Sequence, residues 1–161
     1  MVKIFCGIVI VCITTYCGKL FARKYKKRAD FFAQMDAFNI RFLTEITYYK
    51  RPLLEFIETF QSSGEWGQVL TVVQKNRKNN GEFLAVLKDC GFLKKEEINF
   101  IEEYFSTLGK GDCKSQNAYF SSKGKEIEIL KNISIQDNKR YGDLYWKLGF
   151  LLGLAVLVII V

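Results

Sequence analysis

The chain is apolar at both ends, and each apolar run meets positive charge on its inward side. From Ile4 to Ala22 only Lys19 is charged, and from Leu144 to Val161 only Lys147. Wound as helices at about 1.5 Å per residue, the runs reach about 28 Å and about 27 Å, close to the hydrocarbon thickness of a bilayer. Three parts are expected: a transmembrane anchor over 1–22, a domain over 23–143, and a second anchor over 144–161. The uninterrupted apolar part of the second, Leu148 to Val161, is shorter, so this anchor calls for a thinned bilayer or a supporting partner.

Flanking charge sets the expected orientation. Arg23, Lys24, Lys26, Lys27 and Arg28 follow the first run, while Lys139, Arg140 and Lys147 belong to the second flank and only Lys3 lies outside. The positive-inside rule then makes the central domain cytoplasmic and puts both termini outside. Tyr141, Tyr145 and Trp146 fall where interfacial aromatics sit, and Lys147 can snorkel toward headgroups. A cleaved signal peptide would carry its charge before the apolar run and small residues at the cleavage site, an order this chain reverses.

Of 161 residues, about 120 remain between the anchors, enough for one compact domain. The net charge of +7 is concentrated in the two flanks, where anionic headgroups account for it. No base-reading motif accompanies it, so nucleic acid is not an expected partner. Cys6, Cys12 and Cys17 lie in the first apolar run as small apolar fillers, and Cys90 and Cys113 have no metal-ligand spacing. Two isolated thiols agree with a reducing compartment, with a single bridge between them left open. There is no histidine, which removes imidazole-based triads and metal sites. The carboxylates fall mostly in charged helical faces such as Lys94-Lys95-Glu96-Glu97 and Lys123 to Glu128, where solvation is the ordinary explanation. No enzyme activity, metal or cofactor is expected.

The spacing of apolar residues predicts helices throughout. Phe31, Met35, Phe38, Phe42, Ile46 and Tyr49 line one stripe, with Asp36, Arg41 and Glu45 expected on the solvated side. Pro52 ends that helix near Lys50 and opens the next. Leu53, Leu54, Phe56, Ile57 and Phe60 form a short apolar helix, and Trp66, Val69, Leu70 and Val73 another. Lys75 to Gly81 reads as a connection. Phe83, Leu84, Val86 and Leu87 follow, with Gly91 expected to end the helix in a left-handed conformation. Ile98, Ile101, Tyr104, Phe105 and Leu108 precede a glycine cap at Gly109. An imperfect stripe over Tyr119, Phe120, Ile127, Leu130, Ile133 and Tyr141 then leads toward the second anchor. With no alternating strand pattern and a single proline, the expected fold is all-α: a cytoplasmic helical bundle flanked by N- and C-terminal transmembrane helices.

The most specific local signal is Leu108-Gly109-Lys110-Gly111-Asp112-Cys113-Lys114-Ser115-Gln116. It reads as a helix–helix corner: Gly109 closes one helix, Asp112 caps the next with a favourable charge, and Gln116 lies one turn along. The glycines are wrongly framed for a phosphate loop, which ends in lysine and serine or threonine.

The order of apolar N-terminus, basic flank, helical domain, L-G-x-x-D-x-x-x-Q corner and R-Y…L-G-F-L-L-G-L segment from Arg140 to Leu154 resembles the stage III sporulation protein AB family over nearly the full chain. Ile46-Thr47-Tyr48-Tyr49-Lys50-Arg51-Pro52-Leu53-Leu54-Glu55 is similar to that family's helix-turn-helix element, with the glycine common in its turn replaced within Tyr49-Lys50-Arg51. The resemblance implies a bacterial spore-former and a secretion-like membrane complex between mother cell and forespore. It also implies a cytoplasmic domain similar to the helical platform domains of type II secretion and type IV pilus systems. The implied partners are a secretion-type ATPase, sporulation protein AA, and other membrane proteins of the same complex.

The function expected on these grounds is that of a non-enzymatic scaffold in the mother-cell membrane, touching lipid through its flanks and presenting Lys94, Lys95, Glu96 and Glu97 as a contact for the ATPase. An alternative is a membrane-tethered sensor that binds a small apolar ligand in a pocket lined by Phe38, Phe42, Ile101 and Phe105. A lipid-modifying enzyme would need carboxylates clustered at the membrane rim, which neither basic flank supplies. Asn132-Ile133-Ser134 matches a glycosylation sequon whose expected cytoplasmic location argues against modification.

Overall fold

A computed structural model describes residues 2–49, 52–75 and 80–160. As expected, the described residues are helical and form no strand. Helix α1 spans Val2–Thr44 and passes directly into a π-helical turn, Glu45–Tyr49. Helices α2 (Leu53–Thr59), α3 (Gly64–Lys75), α4 (Asn80–Asp89) and α5 (Lys95–Thr107) are shorter. Helix α6 (Cys113–Asp137), a second π-helical turn (Asn138–Gly142) and α7 (Asp143–Ile160) complete the order. The chain divides into two compact units, Asp30–Asn132 and the pair of segments Met1–Ala29 with Ile133–Val161.

The bundle unit, Asp30–Asn132, is built on aromatic rings. The expected stripe of α1 supplies Phe31, Met35, Phe38 and Phe42, all buried, together with Phe32. Phe38 has the rings of Phe56 and Phe60 at 5.1 Å and Trp66 at 5.6 Å between centroids, offset and edge-on contacts that add to area burial. Phe56 and Ile57 of α2, Trp66, Val69 and Leu70 of α3, Leu87 of α4, Ile101 and Tyr104 of α5, and Phe120 and Ile127 of α6 close the core. Phe38, Phe42, Ile101 and Phe105, the expected lining of a ligand pocket, belong to this packed cluster, with Phe38 6.3 Å from Phe42 and 6.4 Å from Phe105 between centroids.

Three details differ from the expectation. Asp36 and Glu45 are buried, leaving Arg41 as the exposed member of that trio. Asp36 tolerates burial because the Lys131 ammonium of α6 donates to its carboxylate, pairing the charge where α1 is covered on a second side. Gly91 does follow α4, but the left-handed glycines are Gly64, Gly109 and Gly111. The turn after α4 closes instead through the Gly91 amide, which donates to the Asp89 carbonyl at 2.8 Å. Of the expected connection, Lys75 still belongs to α3 and Asn80 and Gly81 already belong to α4; the rest of that stretch, 76–79, and the turn residues 50 and 51 lie outside the described residues.

In the other unit, the first part of α1 packs against α7 across glycines. A Cβ built on Gly149 would lie 2.6 Å from the Thr14 carbonyl oxygen, on Gly18 2.5 Å from that of Tyr145, and on Gly153 2.8 Å from Val11 Cα. Only hydrogen fits at these positions, so the backbones approach as in small-xxx-small crossings of membrane helices. Beside the crossing, Tyr25 stacks on Tyr141 and Tyr145 with centroids 5.2 and 5.7 Å apart. Away from it, large apolar side chains are bare: Ile13 is 57% exposed, Leu151 59%, Leu152 60% and Val158 74%. The continuous helical run Cys113–Ile159, which holds the expected C-terminal anchor, is long and apolar enough to cross a membrane, the one such run among the described residues.

Candidate functional site

Two features gather the residues singled out from the sequence. The first is the corner between α5 and α6. Leu108 ends α5 with its amide donating to the Phe105 carbonyl at 3.3 Å, and Gly109 and Gly111 take φ of 75° and 91°, where a side chain would be strained. Asp112 caps α6 as expected: the Ser115 amide donates to its Oδ2 at 3.4 Å and the Ser115 hydroxyl to its Oδ1. These bonds hold the Asp112 carboxyl below the usual carboxylate range. Gln116 is buried, and its Nε2 donates back to the Lys110 carbonyl at 3.0 Å, tying the corner from inside. Gly109 and Gln116 also line a cleft of about 250 Å3 with Glu45 and Cys113. One carboxylate, one thiol and one amide make no acid–base pair or activated nucleophile, and no group of three metal-ligating side chains occurs among the described residues.

The charged segment at the start of α5 is divided by the structure. Glu97 is buried, and its Oε2 accepts from the Lys94 amide at 2.9 Å, satisfying an N-terminal donor of the helix. It is therefore a capping residue, and only Lys94, Lys95 and Glu96 remain exposed as a surface. The face from Lys123 to Glu128 is likewise partly absorbed into the bundle. Lys123 pairs with Glu103 at 3.3 Å and Glu126 at 3.5 Å, and its ammonium lies 4.9 Å from the centre of the Phe100 ring.

The second feature is an open groove of about 690 Å3 between residues 19–26 of α1 and the second π-helical turn with the beginning of α7. Of the residues expected to flank a membrane, Arg23, Lys26, Lys139 and Trp146 line it, joined by Lys19, Asn138 and Asp143. Lys24, Lys27, Arg140 and Lys147 are exposed and do not line it; the Arg140 guanidinium sits 5.5 Å from the Tyr141 ring centre. Arg28, the remaining cation of that flank, does not line the groove either. It is buried, with Nη1 2.7 Å from Asp137 Oδ2, an ion pair internal to the unit. The glycine crossing was missed in the sequence, although Gly149 and Gly153, four apart in an apolar run, are its signal.

The family model of stage III sporulation protein AB matches residues 3–161. The chain belongs to the stage III sporulation protein AB family. No curated protein and no solved structure matches it. Membership in the stage III sporulation protein AB family carries a role in sporulation, and the family is not a known family of enzymes. Together with a helix able to cross a bilayer, it points to association with a membrane.

Proposed function

We propose that the chain is a non-enzymatic scaffold of a secretion-like complex between mother cell and forespore. Apolar helices over 1–22 and 144–161 anchor it in the mother-cell membrane with both termini outside, and the bundle within 23–143 faces the cytoplasm, where it docks the secretion-type ATPase, sporulation protein AA. The observation that carries this reading is the α1–α7 pair: backbones locked through Gly18, Gly149 and Gly153, with Ile13, Leu151, Leu152 and Val158 turned outward and bare. Water penalises such a surface and lipid does not. The close crossing also supplies the support that a short second anchor needs.

The packed aromatic core favours a platform over a sensor, because an apolar ligand would have to displace rings already in contact. The lack of histidine in the sequence, and of a convergent catalytic group among the described residues, supports a role in positioning rather than turnover. A reporter fused at each terminus and within Lys75 to Asn80, followed by affinity recovery from sporulating cells, tests the proposal. The expected result is an outside signal at both termini, a cytoplasmic signal from the middle, and recovery of sporulation protein AA. Reversing Lys94, Lys95 and Glu96 reduces that recovery if this surface is the dock; unchanged recovery removes it. A middle segment reporting outside overturns the topology.

A further inference from the structure

We propose that the groove framed by Lys19, Arg23, Lys26, Lys139 and Trp146 is a binding site for the phosphate headgroup of an anionic phospholipid. The proposal rests on the membrane reading above. Four cations face one carboxylate, Asp143, around a single groove. Elsewhere the chain pairs its inward cations: Arg28 has Asp137, Lys123 has Glu103 and Glu126, and Lys131 has Asp36. Among the described residues none of the four groove cations forms an ion pair, so an excess of about three charges is held together without an internal counter-ion. Such an arrangement is repulsive by itself and becomes favourable when an anion enters.

Lipid is the source of that anion because of what adjoins the groove. Trp146, amphipathic and 39% exposed, forms part of the wall, as interfacial aromatics do beside headgroups. Leu148, Leu151 and Leu152 on α7 and Phe21 on α1 are exposed on the same two helices, which provides apolar surface for acyl chains. At about 690 Å3 the groove exceeds a bare phosphate and admits a phosphodiester with its glycerol. The π-helical turn Asn138–Gly142 supplies Asn138, Lys139 and Gly142 to the wall; such widened turns recur at functional sites. Basic pockets between membrane helices on the cytoplasmic side take phosphate headgroups by this chemistry.

The test uses the full chain, delipidated in a neutral detergent and titrated with diphosphatidylglycerol, phosphatidylglycerol or phosphatidylcholine, with bound lipid read by native mass spectrometry. The anionic lipids are expected to bind in preference to phosphatidylcholine. The variant Arg23→Gln/Lys26→Gln/Lys139→Gln is expected to weaken them by about tenfold or more, while the charge-matched Lys24→Gln/Arg140→Gln/Lys147→Gln retains most of the affinity. Equal loss in both variants means attraction to net charge alone and overturns the site. Displacement of the lipid by millimolar inorganic phosphate or glycerol 3-phosphate assigns the groove to a soluble anion and overturns the lipid source. If the groove variant misfolds, quenching decides on the unaltered chain. Brominated phosphatidylglycerol should quench Trp146 more than brominated phosphatidylcholine does, and equal quenching overturns the proposal. Carbonate extraction of cell membranes reads the membrane reading separately: release of the unaltered chain sinks that reading, whereas retention with no lipid preference sinks only the groove.

Discussion

Asn39 lies in the middle of the aromatic core with almost no exposure, and both ends of its amide are used. Its Oδ1 accepts from the Tyr104 hydroxyl at 3.0 Å and its Nδ2 donates to the Phe120 carbonyl at 3.2 Å, joining α1, α5 and α6. Burial also pushes the Tyr104 hydroxyl well above its ordinary pKa, so it stays a donor at any physiological pH. Asn39→Leu is expected to cost about 1–3 kcal/mol, because it orphans the buried Tyr104 hydroxyl and removes the side-chain bond to the Phe120 carbonyl; chemical denaturation of the full chain in detergent measures it. A second prediction concerns pH. Hydrogen bonds from the Tyr119 hydroxyl and then Lys123 lower the Glu103 carboxyl below its ordinary value. A lowered folded-state pKa stabilises above the unfolded value and is lost as pH falls through the folded one. Glu103→Gln should therefore lower the melting temperature slightly at pH 7, and the gap to the unaltered chain should close on acidification below the ordinary glutamate pKa. Residues of this kind were poorly legible in the sequence. The burial of Asp36 depends on Lys131, 95 positions away, and no local pattern announces that pairing. Glu97 looked like one more charge in a charged run because no serine or threonine stood at the cap to complete the usual signature.

At the scale of elements, periodicity carried the reading. The apolar stripe of α1 was plain from its spacing, and the glycine-to-aspartate corner was recognisable because both residues do local work that needs no distant partner. Gly109→Ala is expected to destabilise the bundle by about 1–2 kcal/mol through its left-handed backbone, read as a lowered denaturation midpoint. Asp112→Ala loses the cap and should lower the same midpoint. The π-helical turns left no readable trace, since one extra residue per turn blurs a stripe without changing its composition. The crossing of α1 and α7 makes a sharper prediction. A methyl at Gly149 already meets a backbone oxygen, so Gly149→Ala should loosen the pair and Gly149→Leu should separate it. Oxidative cross-linking between cysteines introduced at Gly7 and Leu157, where a Cβ on Gly7 would lie 3.6 Å from that of Leu157, would report this as loss of the linked product, while Leu152→Ala on the bare face leaves it unchanged.

For the whole molecule, the two units use opposite solutions to the same problem. The bundle unit turns its rings inward and pairs buried polar groups such as Asp36, Asn39 and Glu97 within itself. The unit containing the apolar helices buries glycine and threonine at its seam and shows leucine, isoleucine and valine to its surroundings. All-α architecture and an apolar C-terminal helix long enough to cross a bilayer were legible from composition and spacing, whereas the groove depends on two segments more than a hundred residues apart in the chain. One consequence follows from where the two tryptophans lie. Trp66 is sealed among Phe31, Phe38 and Phe105, and Trp146 borders the cationic groove. The chain thus carries a built-in pair of fluorophores, one for each unit, so an aqueous quencher and a lipid-borne one can follow the melting of the bundle and the occupancy of the groove in the same unlabelled sample.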